Sequence, residues 1–252
     1  MLSLRSFVFN VLFYATLLVL MILGLPSVLM GRHAVFFMGR LWGACSLWLL
    51  KHICGLTVEF RGLENIPRGG YIIAAKHQSF LETFSLLKHA PDFAYVLKHE
   101  LMFIPIFGWY LWGAEQIAID RTRGKNALAV LGQRAAAVLR AGRQIFIFPE
   151  GTRRAPGAPP QYKFGVAYLY EDSGAPCLPV ALNTGLYWGR RGFKRLPGVA
   201  IIEYLPPISP GLDREAFLAR LQETVESACA RLNAEAVARN SSLALKLAPA
   251  QS

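Results

Sequence analysis

The chain has 252 residues, enough for one sizeable domain with an appendage, and its 54% apolar and 17% charged content leans towards contact with something apolar. Lys and Arg number 27 against 16 Asp and Glu, a formal charge of +11 that favours an anionic partner: phosphate groups, acidic lipid, nucleic acid or an acidic carrier protein. Cys45, Cys54, Cys177 and Cys229 are scattered without CxxC or Cys/His spacing, so no metal site is readable and the four are expected as buried free thiols in a reducing compartment.

From Phe7 to Met30 the chain reads FVFNVLFYATLLVLMILGLPSVLM, uncharged and relieved only by Asn10 and a few hydroxyls. About 20 such residues cross a hydrocarbon core of ~30 Å as a helix. After MGRH, the stretch AVFFMGRLWGACSLWLL (34–50) is a second, weaker segment with Arg40 inside it. A buried core helix and a cleaved signal peptide are the alternatives, but LPSVLMGRH is a poor cleavage site. Arg5, Arg32, Arg40 and Lys51 lie at both ends and between the segments, so basic loops give no clear orientation. A helical hairpin dipping into one leaflet, its cations snorkelling to the surface, fits that spread. Residues 1–54 are therefore assigned to membrane-associated helices.

Past Leu56 strand and helix signals alternate. LTVEFRG (56–62), YIIAAK (71–76), FAYVLK (93–98), QIAID (116–120), QIFIF (144–148), CLPVALN (177–183) and GVAIIEYL (198–205) read as strands, several apolar throughout as in a sheet covered on both faces. Helices are expected over 80–89, 126–141, 164–173 and 213–236. Asn126 is expected to cap the second, with Leu128, Leu131, Ala135, Val138 and Leu139 on its apolar face. Asp213 is expected to cap the last, with Phe217, Leu221, Val225, Ala228 and Leu232 along one side. This pattern predicts an α/β domain over 55–238 with a mostly parallel central sheet flanked by helices, then a flexible tail over 239–252.

Four stretches carry chemistry. In AAKHQSFLETF (74–84), His77 follows a strand end, where α/β sheets place ligands. Ser79 and Glu82 have the spacing of a capping box. A Glu82 carboxylate has enough lone pairs to cap a helix and also hold one imidazole nitrogen, leaving the other free to accept a proton. In FPEGTRR (148–154), Gly151 is free to take positive φ and Arg153 is a bidentate cation, a pairing suited to an anion; an ordinary turn with exposed arginines is the alternative. AIDRTRG (118–124) puts Arg121 at a strand end, and APCLPVALNTG (175–185) taken alone reads as edge structure.

In this order KHQSFLE, AIDR, FPEGTR and PCLPVAL resemble the four motif blocks of the 1-acyl-glycerol-3-phosphate acyltransferase family, and LKHELMFIPIFGWYLW and KFG (163–165) resemble its wider setting. The resemblance covers roughly residues 50–212. It departs at Glu82, where the family usually has Asp. The resemblance implies that His77 takes the proton of a lysophospholipid hydroxyl as it attacks a fatty acyl thioester, with Glu82 orienting His77. It implies that Arg121 and Arg153 clamp the acceptor phosphate, with Lys163 a weaker candidate. Glu150, Gly151 and Thr152 belong to the motif that shapes the acceptor pocket, amides near Gly151 are candidate oxyanion donors, and the PCLPVAL strand is the pocket wall. No cofactor or metal is implied; coenzyme A or acyl carrier protein brings the acyl group as co-substrate. The expected product is phosphatidic acid, made on the cytosolic face of a cell membrane, the inner one in a bacterium. Another acceptor, such as a lyso-ornithine lipid or glycerol-3-phosphate, and a silent lipid-binding protein stay open as alternatives.

Two further segments bear on partners. FIPIFGWYLWG (103–113) is either core or an interfacial aromatic segment. YWGRRGFKRLPG (187–198) clusters Arg190, Arg191, Lys194 and Arg195 around Phe193, a solvated loop or a surface for anionic lipid or acidic carrier protein. No nucleic-acid module is recognisable, and the hydrophobic amino end argues against one.

Overall fold

The computed structural model describes residues 1–120 and 125–248. Two amino-terminal helices, α1 (Leu2–Leu23) and α2 (Arg32–Leu49), are followed by a single π-helical turn, Leu50–Cys54, which ends at Gly55 with φ 69°. Such a left-handed stop favours glycine. The chain then alternates through β1 (Leu56–Arg61), β2 (Ile72–Ala75), α3 (Leu81–Ser85), β3 (Phe93–Lys98), α4 (Phe107–Gly113) and β4 (Ile117–Ile119). It continues through α5 (Lys125–Arg140), β5 (Gln144–Ile147), α6 (Gly165–Ser173), β6 (Cys177–Leu182), α7 (Thr184–Tyr187), β7 (Gly198–Tyr204) and α8 (Arg214–Arg239).

The seven strands form one sheet in the order β1-β7-β6-β2-β5-β3-β4. All neighbouring pairs are parallel except β6 with β7, so β1 and β7 run against the other five. Successive strand residues point to opposite faces. Ile72 and Ala74 therefore join Leu131, Val166 and Phe217 in one apolar layer, and Tyr71, Ile73 and Ala75 join Phe9, Phe36 and Phe84 in the other. Both faces are covered, as the unbroken apolar strands require.

The amino-terminal helices share that second layer with the sheet. Helix α1 buries Ser6, Phe9 and Phe13, and Phe13 meets Trp42, Phe80, Phe84 and Trp188 at ring-centroid distances of 5.2, 6.0, 5.9 and 5.7 Å. The Arg195 amide donates to Ser6 Oγ at 2.9 Å, and the Tyr110 hydroxyl donates to the Met21 carbonyl at 2.8 Å. The helix is thus fastened to the sheet domain near both ends. Its other side leaves Leu4, Phe7, Val11, Tyr14, Leu18 and Ile22 exposed, an apolar stripe at helical spacing.

Several expectations change. The helix expected over 80–89 is α-helical only to Ser85 and then tightens into a 3-10 turn, Leu86–His89. Helix α5 already begins at Lys125, so Asn126 falls within the helix and not at the position before its first residue. Asp213 does cap α8, its Oδ1 accepting from the Ala216 amide at 2.8 Å. Strand β6 is no edge: it lies between β7 and β2, and Pro179 lies just beyond the β6–β7 pairs, where its missing N–H breaks none of them and its carbonyl still accepts from Leu205 N at 2.9 Å. Cys45 is half-buried; the other three thiols are buried as expected, and all four are free. The carboxyl-terminal segment is packed rather than loose as far as it is described: Ser241–Lys246 is a 3-10 helix, Leu243 is buried, and the Ala248 amide donates to the Pro156 carbonyl at 2.8 Å.

Candidate active site

The site lies past the carboxyl ends of β2 and β5, where strand order places their following turns side by side. His77 follows β2 by two residues. Its Nδ1 lies 2.9 Å from Glu82 Oε1, and its ring stacks on Phe148, 4.0 Å between centroids and 18° between planes. Glu82 is fully buried, and its Oε1 also accepts from the Gln78 and Ser79 amides, both at 2.7 Å. Its Oε2 accepts from Thr184 Oγ1 at 2.8 Å. An ionised carboxylate can only accept, so this contact orients the ring with Nδ1–H towards Glu82 and leaves Nε2 as the nitrogen that can accept a proton. The capping box is half formed: Glu82 reaches back to the Ser79 amide, but Ser79 Oγ accepts from Leu81 N at 3.1 Å instead of from residue 82.

The β5 turn completes the wall. Gly151 has φ 64°, and its amide donates to the Phe148 carbonyl at 2.8 Å. That amide already closes the turn, so the expected oxyanion donor is not available from it. The Arg154 amide donates to the His77 carbonyl at 2.8 Å, locking the two turns together.

Glu150 does not face either cavity. It is buried, with Oε1 3.1 Å from Lys76 Nζ, and Lys76 in turn lies 2.6 Å from Glu226 Oε1, which also accepts from the Tyr162 hydroxyl at 3.0 Å. Burial raises the Glu150 carboxyl above its ordinary range, with Lys76 pulling the other way. Glu150 thus shapes the pocket only indirectly, by anchoring the turn from behind.

Two cavities meet at this wall. The first, about 800 Å³, is overwhelmingly apolar and extends from His77, Phe148 and Gly151 past Trp42 and Leu111 to Met21 of α1. The second, about 770 Å³, takes its inner wall from Gln78, Thr152, Arg153 and Gly185. His77 with Gly151 and Gln78 with Thr152 therefore back onto one another across the partition. The expected phosphate ligands divide between the two: Arg153 lines the second cavity and Lys163 the first. Arg121 lies outside the described residues. Of the aromatic segment, Phe107 and Tyr110 line the first cavity, while Phe103, Trp109 and Trp112 are exposed.

Arg195 is corrected from surface cation to structural one. It is buried, stands 4.0 Å over the Trp188 ring and donates to Asn10 Oδ1 at 2.8 Å and to the Gly192 and Phe193 carbonyls at 2.7 and 2.8 Å. Burial lowers its pKa to about 10. The residues that sequence reasoning missed are Gln78, Thr184 and the Lys76–Glu226–Tyr162 group. Among the described residues, no cluster of three or more His, Cys, Asp or Glu side chains suits a metal ion.

The family model described as "Acyltransferase" matches residues 57–183. The chain is 35% identical over 203 residues to a 1-acyl-sn-glycerol-3-phosphate acyltransferase of Pseudomonas aeruginosa, covering 81% of this chain and 79% of that protein. It is 29% identical over 163 residues to the mouse 1-acyl-sn-glycerol-3-phosphate acyltransferase alpha, covering 63% of this chain and 57% of the relative. Its fold matches the crystal structure of the 1-acyl-sn-glycerophosphate (LPA) acyltransferase from Thermotoga maritima with a TM-score of 0.76, at 23% identity, over 92% of this chain and 98% of the other. The chain belongs to the 1-acyl-sn-glycerol-3-phosphate acyltransferase family.

Proposed function

We propose that this chain transfers a fatty acyl group from an acyl thioester to the free 2-hydroxyl of 1-acylglycerol-3-phosphate, forming phosphatidic acid. One observation carries the reading: a histidine whose Nδ1 is held by a buried, four-donor carboxylate opens onto an apolar cavity of about 800 Å³ beside a cationic turn. A cavity of that volume and character accommodates a fatty chain. His77 Nε2 accepts the hydroxyl proton as the alcohol oxygen bonds to the thioester carbonyl carbon. Collapse of the tetrahedral adduct breaks the C–S bond, and the imidazolium returns its proton to the departing sulfur. Glu82 favours the imidazolium electrostatically throughout. Arg153, with Arg121, is assigned to the acceptor phosphate, while Lys163 lines the apolar cavity on the other side of the partition.

The protein works, on this reading, as a monotopic enzyme on the cytosolic leaflet, of the inner membrane in a bacterium. Helices Leu2–Leu23 and Arg32–Cys54 are long and apolar enough to cross a membrane, with mean hydropathies of 2.3 and 1.2. Yet α1 is fastened along the sheet domain from Ser6 to Met21, which favours lying in the leaflet with its exposed stripe in the acyl region. Either coenzyme A or carrier-protein thioesters can serve as donor. The test is product formation from acyl thioester and lysophosphatidate by the native protein, with none from His77→Ala. Equal turnover by both removes His77 from the mechanism, and turnover only with a lyso-ornithine lipid or glycerol-3-phosphate reassigns the acceptor.

A further inference from the structure

The second cavity carries more positive charge than one acceptor phosphate can neutralise. Its lining includes Arg153, Arg154, Arg190, Arg191, Lys194 and Lys246, and no Asp or Glu. Arg154 is engaged, donating to Gln161 Oε1 and the Pro159 carbonyl at 2.8 and 2.9 Å, and Arg190 donates to the Arg153 carbonyl at 3.2 Å. Among the described residues, no ion pair engages Arg191, Lys194 or Lys246. Uncompensated like charges repel one another, so such a cluster favours a polyanion.

These cations stand on fixed supports. The buried Arg195 folds its guanidinium back onto the carbonyls of Gly192 and Phe193, and its own amide ties the loop to Ser6. Lys246 ends a segment held by the buried Leu243 and by the Ala248–Pro156 hydrogen bond. At the inner wall, Gln78 is 1% exposed; its Oε1 accepts from the Gly185 amide at 3.1 Å, while its Nε2 has no hydrogen-bond partner. Buried donors are nearly always satisfied, so this amide is left to donate to a water or to a ligand in the cavity.

Position supplies the identity. A thioester donor has three parts. On the acyltransferase reading its chain lies in the apolar cavity and its carbonyl at His77, which leaves the basic cavity on the Gln78 side of the partition for its carrier. We propose that the basic cavity holds the phosphorylated pantetheine end of the acyl donor, whether it arrives as coenzyme A or on a carrier protein. Arg191, Lys194 and Lys246 contact its phosphates, and Gln78 Nε2 donates to a pantetheine carbonyl or phosphate oxygen. This assignment rests on the function proposed above and adds a donor site to it.

The experiment compares the full-length native protein with the triple variant Arg191→Gln, Lys194→Gln, Lys246→Gln, using coenzyme A and carrier-protein thioesters in turn. The apparent KM for the donor should rise about tenfold and lose its salt dependence. The KM for lysophosphatidate and sedimentation with phosphatidylglycerol vesicles should not change. A rise confined to one donor identifies which carrier the site recognises. Donor KM unchanged for both donors, a rise in acceptor KM instead, or weakened vesicle binding accounting for the loss would each overturn the assignment. If the native protein proves inactive, the acyltransferase reading fails separately, and calorimetric titration with coenzyme A then decides the site: saturable binding weakened in the variant upholds it, and no binding sinks it.

Discussion

Thr184 Oγ1 donates to Glu82 Oε2 at 2.8 Å, joining two fully buried side chains 102 residues apart in sequence. The contact completes the donor set of the carboxylate that holds His77. Removing the hydroxyl strands Oε2 in a buried site, a loss of at least about 1–3 kcal/mol, since the acceptor is charged. Thr184→Val should therefore lower kcat and depress the melting temperature, while Thr184→Ser, which keeps the donor, should recover both. A Val variant with native kcat would show that Glu82 holds its geometry without this bond.

Glu82 stands where the family usually has Asp. The three donors on Oε1 come from His77, Gln78 and Ser79, so the carboxylate must reach back over its own helix start. A side chain shorter by one methylene cannot do so and still meet Thr184 without backbone movement. Glu82→Asp should thus reduce kcat despite restoring the commoner residue. Glu82→Gln should reduce it further, by about 10²–10⁴, because the amide no longer favours the imidazolium. Steady-state kinetics at saturating donor and acceptor would check the order; an Asp variant faster than native protein would contradict it.

The local part of this site is readable from sequence and the tertiary part is not. His77 and Glu82 are five residues apart across a strand end and a helix start, so their spacing alone brings them together. All seven strands are legible because short apolar or alternating runs end at Gly, Pro or polar residues. Thr184 and Gln78 carry no local signal, since their roles exist only once β6 lies beside β2. Arg195 misleads for a related reason: within a run of basic residues it looks solvated, but Trp188 and Asn10, distant from each other in sequence, build it a buried socket. Glu150 belongs to the most recognisable motif, yet the lysine that turns it inward sits on another strand's end.

That lysine makes a prediction about stability. Lys76 and Glu150 are almost wholly buried, and removing one member of such a pair leaves an uncompensated charge, at a cost of about 3–5 kcal/mol. Lys76→Met should be destabilising on that scale, whereas Glu150→Gln leaves Lys76 paired with Glu226 and should be milder. The pH dependence has a definite sign. A carboxyl raised by burial binds its proton more tightly folded than unfolded, so native stability falls as pH rises from about 4.3, the unfolded value, through the higher folded one. Glu150→Gln should flatten that fall. Thermal unfolding in detergent across the acidic range would measure it, and an unchanged slope would remove Glu150 as its source.

Helix α1 has two faces with separable jobs. Phe13, 1% exposed, sits among Trp42 of α2 and three aromatic rings of the sheet domain, so Phe13→Ala should cost about 3–5 kcal/mol and unfold the protein at lower temperature whether or not lipid is present. Val11 and Leu18 lie on the opposite, exposed stripe at 51% and 55%. Val11→Glu with Leu18→Glu should leave the melting temperature in detergent nearly unchanged, because both residues lie on the exposed side of α1, outside its buried face. It should weaken flotation with vesicles sharply, since a charge in the apolar region of a bilayer costs about 2.5–3.5 kcal/mol. Flotation and detergent melting measured on both variants separate the two faces. If the double glutamate variant still floats with vesicles, the lipid-facing surface lies elsewhere, with the exposed Trp109 and Trp112 next to be charged.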